Sequence, residues 1–255
     1  MIVSAFEIFL IVLACVFGSA MLGLYLQKIL PDNHLSSESK DAVKLATGLI
    51  ATMAALLLGL LVSSAKSSFD KIDNALVETA ARILVLDRAL ADYGPETQAI
   101  RHAIKNYYIS RVGMLTSNKK SEVNKIGGQK TTASFEVFRA KLLQLSPGND
   151  SQRQLQAQAL EAYNELALMR WQGLLSKDSK VSMPLLVVLV SWLAIIFAAF
   201  GLFSPNNRTV KAVLFLSALS VSGAIFLMME LNSPLTGFIR ISDAAMYDTI
   251  AHLGL

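Results

Sequence analysis

The chain has 255 residues, 53% of them hydrophobic and 16% charged, and its mean hydropathy of +0.48 sets it apart from soluble domains of this size. The net charge is +4, yet the Lys and Arg residues are scattered with no basic and aromatic surface among them, which excludes nucleic acid as an expected partner. A single cysteine, Cys15, excludes an intrachain disulfide.

Taken in chain order, the first apolar run extends from Ile8 to Leu26 and is closed by Lys28, Pro31 and Asp32. No Lys or Arg precedes it, Glu7 stands where a leader would be positive, and the run continues well past Cys15. It therefore reads as a retained membrane helix rather than a cleaved signal. A second run, Leu45 to Ser64, lies between Lys44 and Lys66. Each run reaches the roughly twenty apolar residues that a helix needs to cross hydrocarbon with every backbone amide satisfied.

From Lys66 the character changes. One helix is expected to leave the membrane without a break, because Ile72, Leu76, Ile83 and Leu90 form one apolar stripe through Ser67 to Asp92. Gly94-Pro95 stops it and starts the next, whose packed side carries Ile100, Ile104, Tyr107 and Tyr108. Ser117 to Thr132, with Gly127-Gly128, is expected to be a loop. A third helix carries Phe135, Phe138, Leu142 and Leu145, and Ser146-Pro147-Gly148-Asn149 ends it. Asp150 or Ser151 is expected to cap a long fourth helix with Leu155, Ala159, Ala162, Leu166 and Met169 on one face.

Two further apolar runs follow, Met183 to Phe203 and Ala212 to Met229, separated by Ser204-Pro205-Asn206-Asn207-Arg208 and ended by Asn232-Ser233-Pro234. The expected architecture is all-α: two spans in residues 1–65, a helical polar insert in 66–182, two spans in 183–231 and a tail in 232–255. An even number of spans puts both termini and the insert on one side. The Lys and Arg flanking the spans are almost evenly divided between the two faces, so charge only slightly favours that side as the cytoplasmic one.

The chemistry of catalysis finds no candidate. His34, His102 and His252 are far apart in sequence and none has a ligand partner at short spacing, and no phosphate-binding loop or nucleophile arrangement is recognisable. Neither enzyme activity nor a cofactor nor a metal is expected. Glu7 and Glu230 are the carboxylates nearest the spans; they either reach water from the span ends or, repeated in an oligomer, form a charged ring. The second span is the unusual one. It mixes small and hydroxyl residues, among them Thr47, Gly48, Thr52, Gly59, Ser63 and Ser64, with the cluster Leu56, Leu57, Leu58, Leu60 and Leu61. Such a helix packs closely against neighbours, or lines a pore in which hydroxyls solvate ions and leucines form a dewetting constriction.

The run Leu56-Leu57-Leu58-Gly59-Leu60-Leu61-Val62-Ser63-Ser64-Ala65-Lys66-Ser67-Ser68-Phe69-Asp70-Lys71, followed by Leu86-Asp87-Arg88-Ala89-Leu90-Ala91-Asp92-Tyr93-Gly94-Pro95-Glu96, resembles a bacterial family of bestrophin-like membrane domains over most of the chain. More distantly, the plan of two spans, helical insert and two spans is similar to that of bestrophin channels. The resemblance implies a homo-oligomer of the inner membrane, a pentamer, that conducts monovalent ions among membrane lipids. It also implies that the termini and insert are cytoplasmic. Leu57, Leu60, Leu61 and Ser64 would then lie near a constriction, and Glu7, Lys66 and Asp70 would be candidates for a charged vestibule, with the face that meets the axis left open. The sequence departs from bestrophins after Phe69-Asp70, where Lys71-Ile72-Asp73-Asn74 replaces an aromatic, doubly basic stretch. The other reading is a membrane-anchored helical sensor or scaffold with no pore.

Overall fold

The computed structural model describes residues 4–31, 37–117, 129–175, 183–235 and 237–254. Among them there is no strand. The α-helices are α1 (Ala5–Leu26), α2 (Ser37–Tyr93), α3 (Gln98–Thr116), α4 (Gln129–Leu143), α5 (Asp150–Leu175), α6 (Met183–Phe203), α7 (Arg208–Leu231) and α8 (Ala244–His252), with a short 3-10 turn at Pro95–Thr97. Four of these, α1, α2, α6 and α7, are long and apolar enough to cross a membrane, which makes this a membrane protein of the all-α class.

The chain divides into two compact units. The first, Met1–Ser68 with Lys180–Asn232, holds the apolar helices. On α1, Val12, Val16, Ala20 and Leu24 recur every four residues and are buried against α6 and α7. At the crossing with α6 the two backbones touch. A methyl group at Gly23 would run into the Ala198 carbonyl oxygen and lie 2.8 Å from the Leu202 amide nitrogen, and one at Gly201 would run into the Ala20 carbonyl oxygen. Close backbone approach of this kind is how helices gain dispersion energy in a solvent that supplies no hydrophobic force between them. Phe17 and Phe215 complete the α1–α7 seam edge to face, with ring centroids 5.3 Å apart.

The second unit, Phe69–Ser179 with Ser233–Leu255, has its own core of Ile83, Leu86, Leu90, Ile104, Val112, Leu142 and Leu166. Polar side chains close its helix ends. Gly94, at φ 139°, makes the turn out of α2 in a conformation that side-chain-bearing residues avoid, and the Thr97 hydroxyl donates to the carbonyls of Leu90 and Gly94 at 2.5 and 2.8 Å. Asn149 caps α5 by accepting the Gln152 N–H at 2.8 Å, one residue before the expected Asp150 or Ser151; the Asx geometry places its oxygen where the first free amide points. One turn further along, Gln156 donates from Nε2 to the Leu142 carbonyl near the end of α4 at 2.8 Å and to the Leu145 carbonyl just beyond it at 3.0 Å.

Two elements differ from expectation. Residues 118–128 of the expected Ser117–Thr132 loop lie outside the described residues, but α4 already begins at Gln129, because a polar run carries no apolar periodicity to announce it and can still extend a helix anchored downstream by Phe135 and Phe138. The tail contains α8, whose Met246 and Thr249 are buried. A tertiary clasp positions it: Lys105 Nζ donates to the Leu253 carbonyl at 2.5 Å and the Gly254 N–H donates to Asp87 Oδ2 at 3.1 Å. Asp87 also takes a two-pronged bond from Arg101, Nε and Nη2 each at 2.9 Å.

Candidate functional site

The second span is the least packed of the four. Only 17% of its most apolar window is buried, against 33% in α1, 33% in α6 and 28% in α7. The residues it does bury are mostly small, Thr47, Ala54 and Ala65, joined by Leu61, so α2 leans on its neighbours along one narrow line. Its large side chains point the other way. Leu45, Leu49, Met53, Leu56 and Leu60 follow one another at three or four residues on one exposed face, with Leu56 76% and Leu60 63% accessible. Ser63 and Ser67 continue the same face at helical spacing and are exposed. Hydroxyls within the span are used locally: Thr52 Oγ1 donates to the Leu49 carbonyl at 2.7 Å and Thr47 Oγ1 to the Val43 carbonyl at 2.7 Å, which is how a donor is satisfied where water is scarce.

The four residues expected near a constriction stand at i, i+3, i+4 and i+7 and so share one flank of α2, which runs from its open side to its packed side. Leu60 lies on the open side and Ser64 is exposed beside it; Leu57 is half-buried; Leu61, 6% accessible, belongs to the packed side. What the sequence reading missed is that Leu45, Leu49 and Met53 extend the open face through the whole span. Size is only a partial signal: Thr47, Ala54 and Ala65 lie on the packed line, but Gly48, Ala55 and Gly59 are exposed although just as small.

The charged candidates are separately placed. Glu7 closes a capping box at the start of α1, its Oε2 accepting the Ser4 N–H at 2.8 Å while Ser4 Oγ accepts the Glu7 N–H at 3.2 Å. Lys66 is exposed on α2 and Asp70, one turn on, is half-buried. Glu230, near the end of α7, is buried. Among the described residues no three His, Cys, Asp or Glu side chains cluster as a metal site; His102 is exposed and His252 Nδ1 lies 2.8 Å from the Asp248 carbonyl. His34 lies outside the described residues.

The arrangement is an exposed apolar face on the least packed of the spanning helices, running into hydroxyls at one end. Among known protein families, the model described as Bestrophin-like domain matches residues 14–246. No curated protein and no solved structure matches the chain.

Proposed function

This chain belongs to the bestrophin-like family, and we propose that it works as an oligomeric ion channel in which α2 of each copy stands around a common axis. The observation that carries the reading is the open face of α2. Five large apolar side chains from Leu45 to Leu60 are exposed, and repeating that face about an axis gives rings of Met and Leu that narrow and dewet a pore. Ser63 and Ser67 on the same face would supply hydroxyls where ions regain their water. The lining carries no charge between Leu45 and Ser64, so the proposed path takes monovalent ions and leaves selectivity to residues beyond the span, Lys66 and Asp70 among them. A pentamer of the bacterial inner membrane, with termini and insert cytoplasmic, is the assembly this reading favours, supported by the even number of spans and by family membership.

The first test is the protein mass of the detergent-purified chain by light scattering, corrected for bound micelle. A particle of five times 27.7 kDa is expected; a monomer overturns the channel and leaves a membrane-anchored helical module. Leu60→Ser and Leu61→Ser then separate the two sides of α2. Leu60→Ser is expected to raise ion flux from liposomes severalfold with little change in thermal stability, since it opens a ring without touching the packed line. Leu61→Ser is expected to leave flux per folded particle unchanged and to cost about 2 kcal/mol or more through the cavity it creates. Equal, wild-type flux from Leu60→Ser and Leu56→Ser would remove the constriction from this face.

A further inference from the structure

Away from the spans, α3, α4 and α5 bring aromatic rings and two arginines together within the polar unit. Tyr107 on α3 meets Phe135 and Phe138 on α4 edge to face, with centroids 5.8 and 5.9 Å apart. Phe135 in turn meets Tyr163 on α5 at 5.9 Å, and the Tyr163 hydroxyl donates to the Phe135 carbonyl at 3.0 Å. A guanidinium lies over each of two touching rings, Arg111 over Tyr107 at 5.9 Å and Arg170 over Phe135 at 5.1 Å. Both cations are half-buried, and they are near enough to repel: burial lowers the Arg111 guanidinium below its ordinary pKa, the Tyr107 hydroxyl opposes this and Arg170 adds to it. The Tyr107 hydroxyl, within the field of both arginines, is closed off from solvent and makes no hydrogen bond among the described residues. Glu136 and Arg139, exposed on α4, also act on Tyr163 and are opposite in sign, so together they add no net charge. Ring faces offset part of the cost of burying a guanidinium. They do not account for two cations side by side, nor for a buried hydroxyl whose hydrogen nothing accepts.

We propose that Arg111, Arg170 and Tyr107 form a binding site for a phosphate group in the polar unit. Such a group carries about −1.5 to −2 charges near neutral pH and three acceptor oxygens, a match for two guanidiniums and one hydroxyl donor. Arg111 and Arg170 make other interactions as well, but a guanidinium has five N–H donors in a planar fork and serves more than one partner. The rings beneath the forks fix their planes, which prepares them for two-pronged contact with an oxyanion. Trp171, 51% accessible and with its ring 5.5 Å from the Arg170 guanidinium, marks where the cluster reaches the surface. The site needs neither a pore nor a second copy of the chain, so it stands apart from the function proposed above.

The experiment uses the full chain in detergent. The chain has two tryptophans, so Trp192→Phe leaves Trp171 as the only one and makes its fluorescence a reporter of the site; calorimetry on the wild type repeats each titration without that change. Inorganic phosphate and phenyl phosphate are added to low millimolar concentration, below the range in which phosphate salts stabilise proteins by exclusion from their surface, with sodium chloride at equal ionic strength as the control. A saturable response to phosphate and none to chloride is expected. Tighter binding of phenyl phosphate identifies a phosphorylated ligand with a flat body that uses the rings, and equal binding identifies the free ion. Tyr107→Phe, which removes one oxygen and leaves the packing, is expected to weaken binding about tenfold, and Arg170→Lys, which keeps the charge and loses the fork, severalfold. Equal responses to phosphate and chloride would reduce the arginines to a screened like-charge pair and overturn the proposal. So would the lack of any saturable response in a folded wild type, or a phosphate response that Tyr107→Phe leaves unchanged.

Discussion

Gly201→Leu is expected to lower the stability of the apolar helical unit by about 3 kcal/mol or more, read as a large fall in thermal unfolding temperature in detergent together with loss of a monodisperse particle. Two effects compete. Replacing a glycine in the last turn of a helix gains at most roughly 1 kcal/mol of helix propensity, and overpacking a tight core usually costs about 1 to 3 kcal/mol by displacing flexible neighbours. At Gly201 the obstacle is the Ala20 carbonyl oxygen and the Leu24 amide nitrogen of α1, both backbone, which no change of rotamer can move aside. The cost therefore wins, and α1 has to separate from α6 along its length, releasing contacts made by Val16, Ala20 and Leu24. Gly201→Ala, with the same first atom and nothing beyond it, is expected to show the same sign at smaller size. Gly59→Ala is the control: nothing lies within 4 Å of its added methyl, so it should be neutral or slightly stabilising. Matching losses at positions 59 and 201 would show that helix flexibility, not the crossing, sets stability.

Asp87→Ala is expected to destabilise the polar unit by about 3 kcal/mol, measured as a shift of its denaturant midpoint. The carboxylate side chain is 5% exposed and the Arg101 guanidinium 16%, and removing one member of such a pair leaves the other charge poorly solvated. It also frees the Gly254 N–H. Burial by itself pushes the Asp87 carboxyl up, but the Arg101 guanidinium and the Gly254 N–H together outweigh burial and hold it below its ordinary value of 3.8. Since the folded value is the lower one, the contribution of Asp87 is complete above the unfolded value and is lost as pH falls from about 4 through the folded value. Wild-type stability should fall over that interval, and the same interval should be flatter in Asp87→Asn. An unchanged slope would assign the acid response to other carboxylates.

The spans were legible because hydrocarbon leaves the chain a single solution: Met183 to Phe203, with no charge over its length, can be satisfied only as a helix, and it is one. The passage of α2 out of its apolar stretch was legible for a different reason, since Ile83 and Leu90 keep the helical stripe going after the hydropathy falls. Direction within the second span was not legible. A span without charge has no strongly polar face to orient it, and Leu60 and Leu61 are equally hydrophobic although one faces outward and the other inward; small residues do not break the symmetry, since Ala54 is buried and Ala55 and Gly59 are exposed. The tail was missed because what holds α8 is distant in sequence. Its nine residues are too few to form a stable helix on their own propensity, and the groups that hold it, Lys105 and Asp87, announce nothing of this role locally.

The bond between Asp87 and Gly254 joins residues 167 positions apart, and the third and fourth spans are encoded between them. On a ribosome the chain emerges from its N-terminus, so Asp87 and Arg101 are made, and their helices laid down, long before the amide that completes their hydrogen bonding exists. Both later spans have to be handed to the membrane in the interval. Until then the seats of Leu253 and Met246, which are buried in the finished unit, stay open as apolar surface in the nascent protein. Completion of the polar unit thus waits until α8 has been made and both later spans inserted, and a chain stalled before α8 would present that uncovered surface to chaperones and proteases.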